Sequence, residues 1–172
     1  MKQFSTITPT KISFKNKIVN AKIVSVSSDF NHNIHTFFEQ ELIKQNTLDV
    51  VKPLAKIRFI KQNTGSTFWL QGFDYELEIK PFGLFNIWGI HHIHIVNIDK
   101  QATTITTIEK NNICKVWNHS LTFKKINENK TKYTDQVLLY AGFLTNLISM
   151  FLAFSYKKRH KNWHKLLVQK RG

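Results

Sequence analysis

The sequence predicts an α+β fold: a curved antiparallel sheet wrapped around one long C-terminal helix, with two short helices after the first strand. Three observations lead there. From residue 53 to 141, segments alternate apolar and polar residues at period two, with turn residues rather than helices between them. At Gly142 the period becomes helical and stays so to about residue 168. Ahead of the alternating run, Ile34, Phe37, Phe38 and Leu42 recur at helical spacing. Strands and helices segregated in this way indicate α+β architecture.

Residues 1–17 read as an irregular lead-in or a weak first strand, and Ile18 to Val26 has strand composition. Ser28 or Asp29 can cap the first short helix. A second short helical turn follows from Thr47, and Lys52-Pro53 ends it. Strands are expected over Pro53–Lys61, Phe73–Leu84, Ile87–Ile98, Thr103–Glu109, Ile113–Lys125 and Lys130–Ala141. The turn-rich stretches QNTGS, NIDKQ and INENK separate several of them. No repeat or linker divides residues 1–172, so one domain is expected.

The chain has 172 residues, enough to bury roughly 70% of its unfolded surface. With 14 Phe and 4 Trp it carries too much large apolar surface to stay disordered. A single cysteine, Cys114, excludes an internal disulfide framework and any multi-cysteine zinc site. Its strand parity is opposite to that of Trp117 and His119, which suits inert packing better than nucleophilic chemistry. The polar, mixed stretch after Met1 and a reduced cysteine fit a cytoplasmic setting.

Lys and Arg number 25 against 11 Asp and Glu, a formal charge of +14, and seven of these cations fall after Tyr156. A solvated basic face explains this, as would weak contact of the Lys-rich C-terminus with an anionic membrane surface. Only three of the cations are Arg, the usual reader of bases, which argues against nucleic acid. Val137–Tyr156 carries no charge and precedes a basic run, so a C-terminal membrane anchor is an alternative. The switch from strand alternation to helical period at Gly142 favours a strand, a break and an amphipathic helix instead.

Two constellations could carry chemistry. His92 and His94 share a strand face and could hold a metal if a third ligand such as His119 joined them, although a strand H-x-H alone is a weak signal. Trp117, His119, Leu121 and Phe123 share one parity, as do Tyr133, Asp135, Val137 and Leu139 on the next strand. Both sets form the apolar, inward side. With a turn near residue 128, His119 lies diagonal to Asp135, within reach of long side chains. A buried carboxylate and imidazole must satisfy one another or a ligand. They could be a structural polar pair, a ligand-orienting pair, or an acid/base pair.

Trp117 and His119, then Thr131, Tyr133, Asp135 and Val137 before the Gly142 break, then Arg159, His160 and Trp163 in the helix, with Gly89 and His91 in a middle strand, resemble the SRPBCC superfamily. This is the START/Bet v 1-like helix-grip group, and the likeness is to its polyketide-cyclase-like and ligand-binding members, over residues 18–168. The resemblance implies a seven-stranded antiparallel sheet gripping the C-terminal helix, with an apolar cavity between them. It does not imply a reaction, because this fold hosts many functions. Asn86 and Ile87 depart from it, standing where such proteins often have a Pro-containing loop.

The leading expectation is therefore binding of a small hydrophobic or amphipathic ligand by His91, Trp117, His119, Tyr133, Asp135, Ile148, Phe151 and Leu152, with Asp135 governing ligand selectivity. The alternative is a cyclase/aromatase-type enzyme using His119 and Asp135 as acid and base. There is no Gly-rich phosphate loop, H-E-x-x-H or G-x-S-x-G, and no cofactor is expected.

Overall fold

The structure is a computed structural model and describes residues 2–52, 54–62, 65–81 and 88–170. Two strands come first, β1 (Gln3–Phe14) and β2 (Lys17–Phe30). Two short helices follow, α1 (Ile34–Leu42) and α2 (Lys44–Val51). Then come β3 (Ala55–Gln62), β4 (Asp74–Pro81), β5 (Ile90–Asp99), β6 (Thr104–Lys110), β7 (Val116–Asn127) and β8 (Lys130–Tyr140). A 3-10 turn over Gly142–Leu144 leads into α3 (Thr145–Gln169). The eight strands form one antiparallel sheet in the order β1-β2-β8-β7-β6-β5-β4-β3. Register shifts near Ile60, Val96 and Ile126 bend their strands and help the sheet curve.

Several expectations are corrected. The lead-in is a full strand, so the described sheet has eight strands rather than seven, and the short helices follow the second strand. Lys15 and Asn16, with φ of 49° and 61°, close β1 onto β2 in a two-residue turn whose twist suits a hairpin. Ser28 and Asp29 belong to β2. The α1 cap is Asn33, whose Oδ1 accepts from the backbone N–H groups of His35 and Thr36. Phe82–Leu84 and Ile87, placed in strands by the sequence pattern, lie outside the described residues, as do Pro53 and the departure at Asn86.

The switch at Gly142 stands: its φ of +59° is a conformation glycine adopts without strain, and the chain turns there from β8 into α3. Val137–Tyr140 are strand and the helix begins at Thr145, so the membrane-anchor alternative falls. Among the described residues no helix is long and apolar enough to cross a membrane.

α3 lies on the inner face of the sheet, packed mainly against β2 and α2. It does so with an unusual face. Thr145, Ser149, Ala153, Tyr156 and His160, mostly polar residue types, are buried together with Ile148, Leu152, Arg159 and Trp163, while His164 on the same stripe is exposed. Leu147 and Phe154 point to solvent instead. Two apolar clusters hold the halves of the interior. One gathers Val24, Val26, Trp88, Trp117, Val137, Leu139, Ile148 and Leu152; the other gathers Phe30, Phe37, Phe38, Phe123, Tyr133 and Trp163. Charged groups lie on the same inner face.

Candidate functional site

Strand alternation carries five chemically active side chains to the inner face: His91 of β5, Thr107 and Glu109 of β6, His119 of β7 and Asp135 of β8. α1 adds Glu41, on the same helical stripe as Ile34, Phe37 and Phe38. α3 adds Ser155, Tyr156, Arg159 and His160. Register puts His119 opposite Val137, hence diagonal to Asp135, as the sequence implied. Their contact is a 2.8 Å hydrogen bond from His119 Nε2 to Asp135 Oδ1.

That bond is one link of a chain. Asn111 Oδ1 accepts from the backbone N–H groups of Ile113 and Cys114, so its Nδ2 donates to His91 Nδ1 at 3.1 Å. The His91 ring proton then sits on Nε2 and donates to Glu109 at 2.7 Å. Glu109 Oε1 lies 3.4 Å from His119 Nδ1 and also accepts from the Thr107 hydroxyl. Asp135 is wholly buried and accepts from His119, Tyr133, Arg159 and His160. His160 Nδ1 continues to the Ser28 hydroxyl at 2.8 Å. Arg159 bridges Asp135, at 3.1 Å, and Glu41. Gly89 starts this stretch of sheet with φ +67°, and a Cβ there would collide with the side-chain amide of Asn112.

The charge states follow from these partners. Burial alone would lower the pKa of His119, but the hydrogen bonds and charges of Asp135 and Glu109 outweigh it and lift the imidazole to about 9. Against the upward push of burial, Arg159, His119 and His160 hold Asp135 well below the usual carboxylate range, and His119 and His91 do the same for Glu109. Burial dominates at His160, whose pKa falls, so its Nε2–H donates to Asp135 while Nδ1 accepts from Ser28. Burial also dominates at Glu41, which rises to about 7 despite Arg159.

This cluster forms the polar end of a cavity of about 200 Å³ between the sheet and α3. The remaining wall is apolar and aromatic, with Ile57, Trp69, Leu77, Trp88, Ile93 and Leu121 among its residues. Of the eight residues named from the sequence, His91, Trp117, His119, Phe151 and Leu152 line it. Tyr133, Asp135 and Ile148 do not. Asp135 sits behind its four donors, Tyr133 packs with Phe37, Phe123 and His160, and Ile148 joins the apolar cluster beside Trp88. Sequence reasoning passed over Glu41, Glu109 and Ser155. The signal was present for two of them, since Glu41 repeats the apolar stripe of α1 and Glu109 shares parity with Ile105.

Three polar atoms on the cavity residues are buried and meet no hydrogen-bond partner among the described residues: Glu41 Oε2, Ser155 Oγ and Arg159 Nε. Unpaired buried polar atoms are costly and rare, and these belong to residues of α1 and α3 that line the cavity. His119 is different: both of its ring nitrogens face carboxylates.

His92 and His94 lie on the outer face, each beside a carboxylate of β4: Glu76 at 3.7 Å and Asp74 at 2.8 Å. His119 is on the opposite, buried face, so it cannot complete a metal site with them. Among the described residues no group of three or more His, Cys, Asp or Glu is placed to hold a metal. Cys114 lies ahead of β7, where strand parity does not apply; it is fully buried in the apolar cluster with Trp88 and Trp117, and burial pushes its thiol up to about 12.

An antiparallel sheet gripping a long C-terminal helix is the helix-grip fold. Solved structures with this fold include protein Ms6760 from Mycobacterium smegmatis, at TM-score 0.64 and 13% identity over 84% of this chain and 90% of that one. A START superfamily protein from the same organism has TM-score 0.62 and 7% identity, covering 86% of this chain and 97% of its own. Ara h 8.0201 has TM-score 0.64 and 12% identity, covering 87% and 99% respectively. At these identities the likeness is one of fold. No family model and no curated protein matches the sequence.

Proposed function

We propose that this protein binds a compact, mostly apolar molecule carrying a neutral polar head in the cavity between the sheet and α3. The unpartnered atoms at its polar end carry this reading. Arg159 Nε offers a donor, Ser155 Oγ either role, and Glu41 Oε2 an acceptor, or a donor when protonated. A hydroxyl or carbonyl satisfies such a set. A carboxylate or phosphate suits it less well, because the two terminal nitrogens of Arg159 already face Asp135 and Glu41, and His119 already faces Asp135 and Glu109. The volume of about 200 Å³ lies below the ~300–1,000 Å³ of drug-sized sites, which favours a small occupant. With both His119 nitrogens engaged, the His119–Asp135 pair is better suited to framework than to acid/base chemistry.

Native mass spectrometry of the purified chain, together with titration by an apolar fluorescent probe, tests this. A bound small molecule or saturable probe uptake is expected. An Ile57→Trp variant, which fills the apolar end, should keep its melting temperature and lose uptake. Probe uptake unchanged by Ile57→Trp, or neither a bound molecule nor uptake in the parent protein, defeats the proposal.

A further inference from the structure

The outward face of α3 carries an apolar patch that the interior does not use. Phe143, just before the helix, is 94% exposed; Leu147, Met150 and Phe154 are 65%, 66% and 56% exposed. The last three recur at helical spacing, so they share one face over about 10 Å of helix. That face then changes character along its length. Lys157, Lys161 and Lys165 continue it, all exposed, and α3 contains no acidic residue.

We propose that this face docks the protein on an anionic lipid membrane surface. The Leu147–Phe154 half enters the interfacial layer, and the Lys157–Lys165 half lies over anionic headgroups. The proposal is independent of what the cavity holds. Apolar side chains that enter the boundary between headgroups and acyl chains, next to cations that attract anionic lipid, are the two components of interfacial binding. Charge selects the occupant. The chain has a formal charge of +14, so two copies repel one another as they approach. An acidic bilayer complements the lysines and takes up the apolar residues together. The attachment is peripheral, since no described helix is long and apolar enough to span.

Co-sedimentation of the full chain with vesicles tests it, using phosphatidylcholine alone and with about one-third phosphatidylserine, at low and high salt. Partitioning to the anionic vesicles at low salt is expected, about tenfold weaker on neutral vesicles. A Leu147→Ser, Phe154→Ser variant should lower it by about tenfold while keeping the parent melting temperature. A Lys157→Gln, Lys161→Gln, Lys165→Gln variant should erase the preference for anionic vesicles. No binding at low salt, equal binding to both vesicle types, or full binding by either variant overturns the proposal. So does a dimer in sedimentation velocity that the Leu147→Ser, Phe154→Ser variant abolishes.

Discussion

Asp135 and Arg159 face each other at 3.1 Å across the junction of β8 and α3, and both are almost excluded from water. Two charges taken out of water repay the loss only when further hydrogen bonds complete them. Asp135 has three more donors, and Arg159 has Glu41 on its other side. Their contact fastens the helix to the sheet.

Replacing Asp135 by Asn should therefore act on stability before it acts on ligand. The sequence suggested that this carboxylate governs selectivity, but it lies behind the cavity wall and holds four donors. Asp135→Asn leaves Arg159 and His119 short of a counter-charge, and breaking a buried pair in this way costs about 3–5 kcal/mol. Urea unfolding at neutral pH checks this. A loss below about 1 kcal/mol would show that the charge is not structural.

Stability should fall in two steps as pH rises. Glu41 titrates near 4.5 when unfolded and at about 7 when folded, so its contribution is whole below pH 4.5 and is lost as pH rises through about 7. His119, raised from 6.5 to about 9, gives a second contribution, whole below 6.5 and lost as pH rises through about 9. Asp135 and Glu109, held low, act oppositely: their contribution is present above the ordinary carboxylate range and is lost as pH falls through their folded values. Glu41→Gln should remove the lower of these two steps and keep the upper one. Thermal melts across about pH 4 to 10 resolve the two, since each pH unit by which folding moves a titration midpoint is worth ~1.4 kcal/mol.

Ser155→Ala should separate binding from folding. Its hydroxyl is buried on the cavity wall without a partner, so deleting it costs the folded state little, or stabilises it. Binding of a hydroxyl- or carbonyl-bearing ligand should weaken about tenfold, the size of one hydrogen bond. Calorimetric titration beside a melt of the same variant reads both quantities. A drop in melting temperature with affinity unchanged would place Ser155 in the framework.

Cys114 should stay unmodified by iodoacetamide in the native protein near neutral pH and react on unfolding. The thiolate is the reactive form, and burial both shields the sulfur and pushes its pKa up to about 12. Mass spectrometry of labelled native and urea-treated samples measures the difference.

The interior was legible where one hairpin carried the argument. The β7 and β8 residues alternate cleanly about a polar turn, so His119 and Asp135 could be placed diagonally from parity alone. Glu41 and Arg159 meet 118 residues apart in the chain, and no local period joins them. β1 was faint because most of its side chains are exposed or half-exposed, which leaves no apolar stripe to read. On α3 the residue types misled. His160, Tyr156 and Ser149 look like a solvent face until Asp135 and Ser28 are known to await His160 inside, while Leu147 and Phe154 are apolar yet lie on the exposed side of the helix.

The bridge between Glu41, Arg159 and Asp135 also sets an order of assembly. During synthesis the two carboxylates emerge 118 and 24 residues ahead of the guanidinium that neutralises them. A chain cut before Arg159 would leave Glu41 and Asp135 without the cation they share and the inner face of the sheet without α3 to cover it. Such a fragment exposes apolar surface, the condition under which chains aggregate.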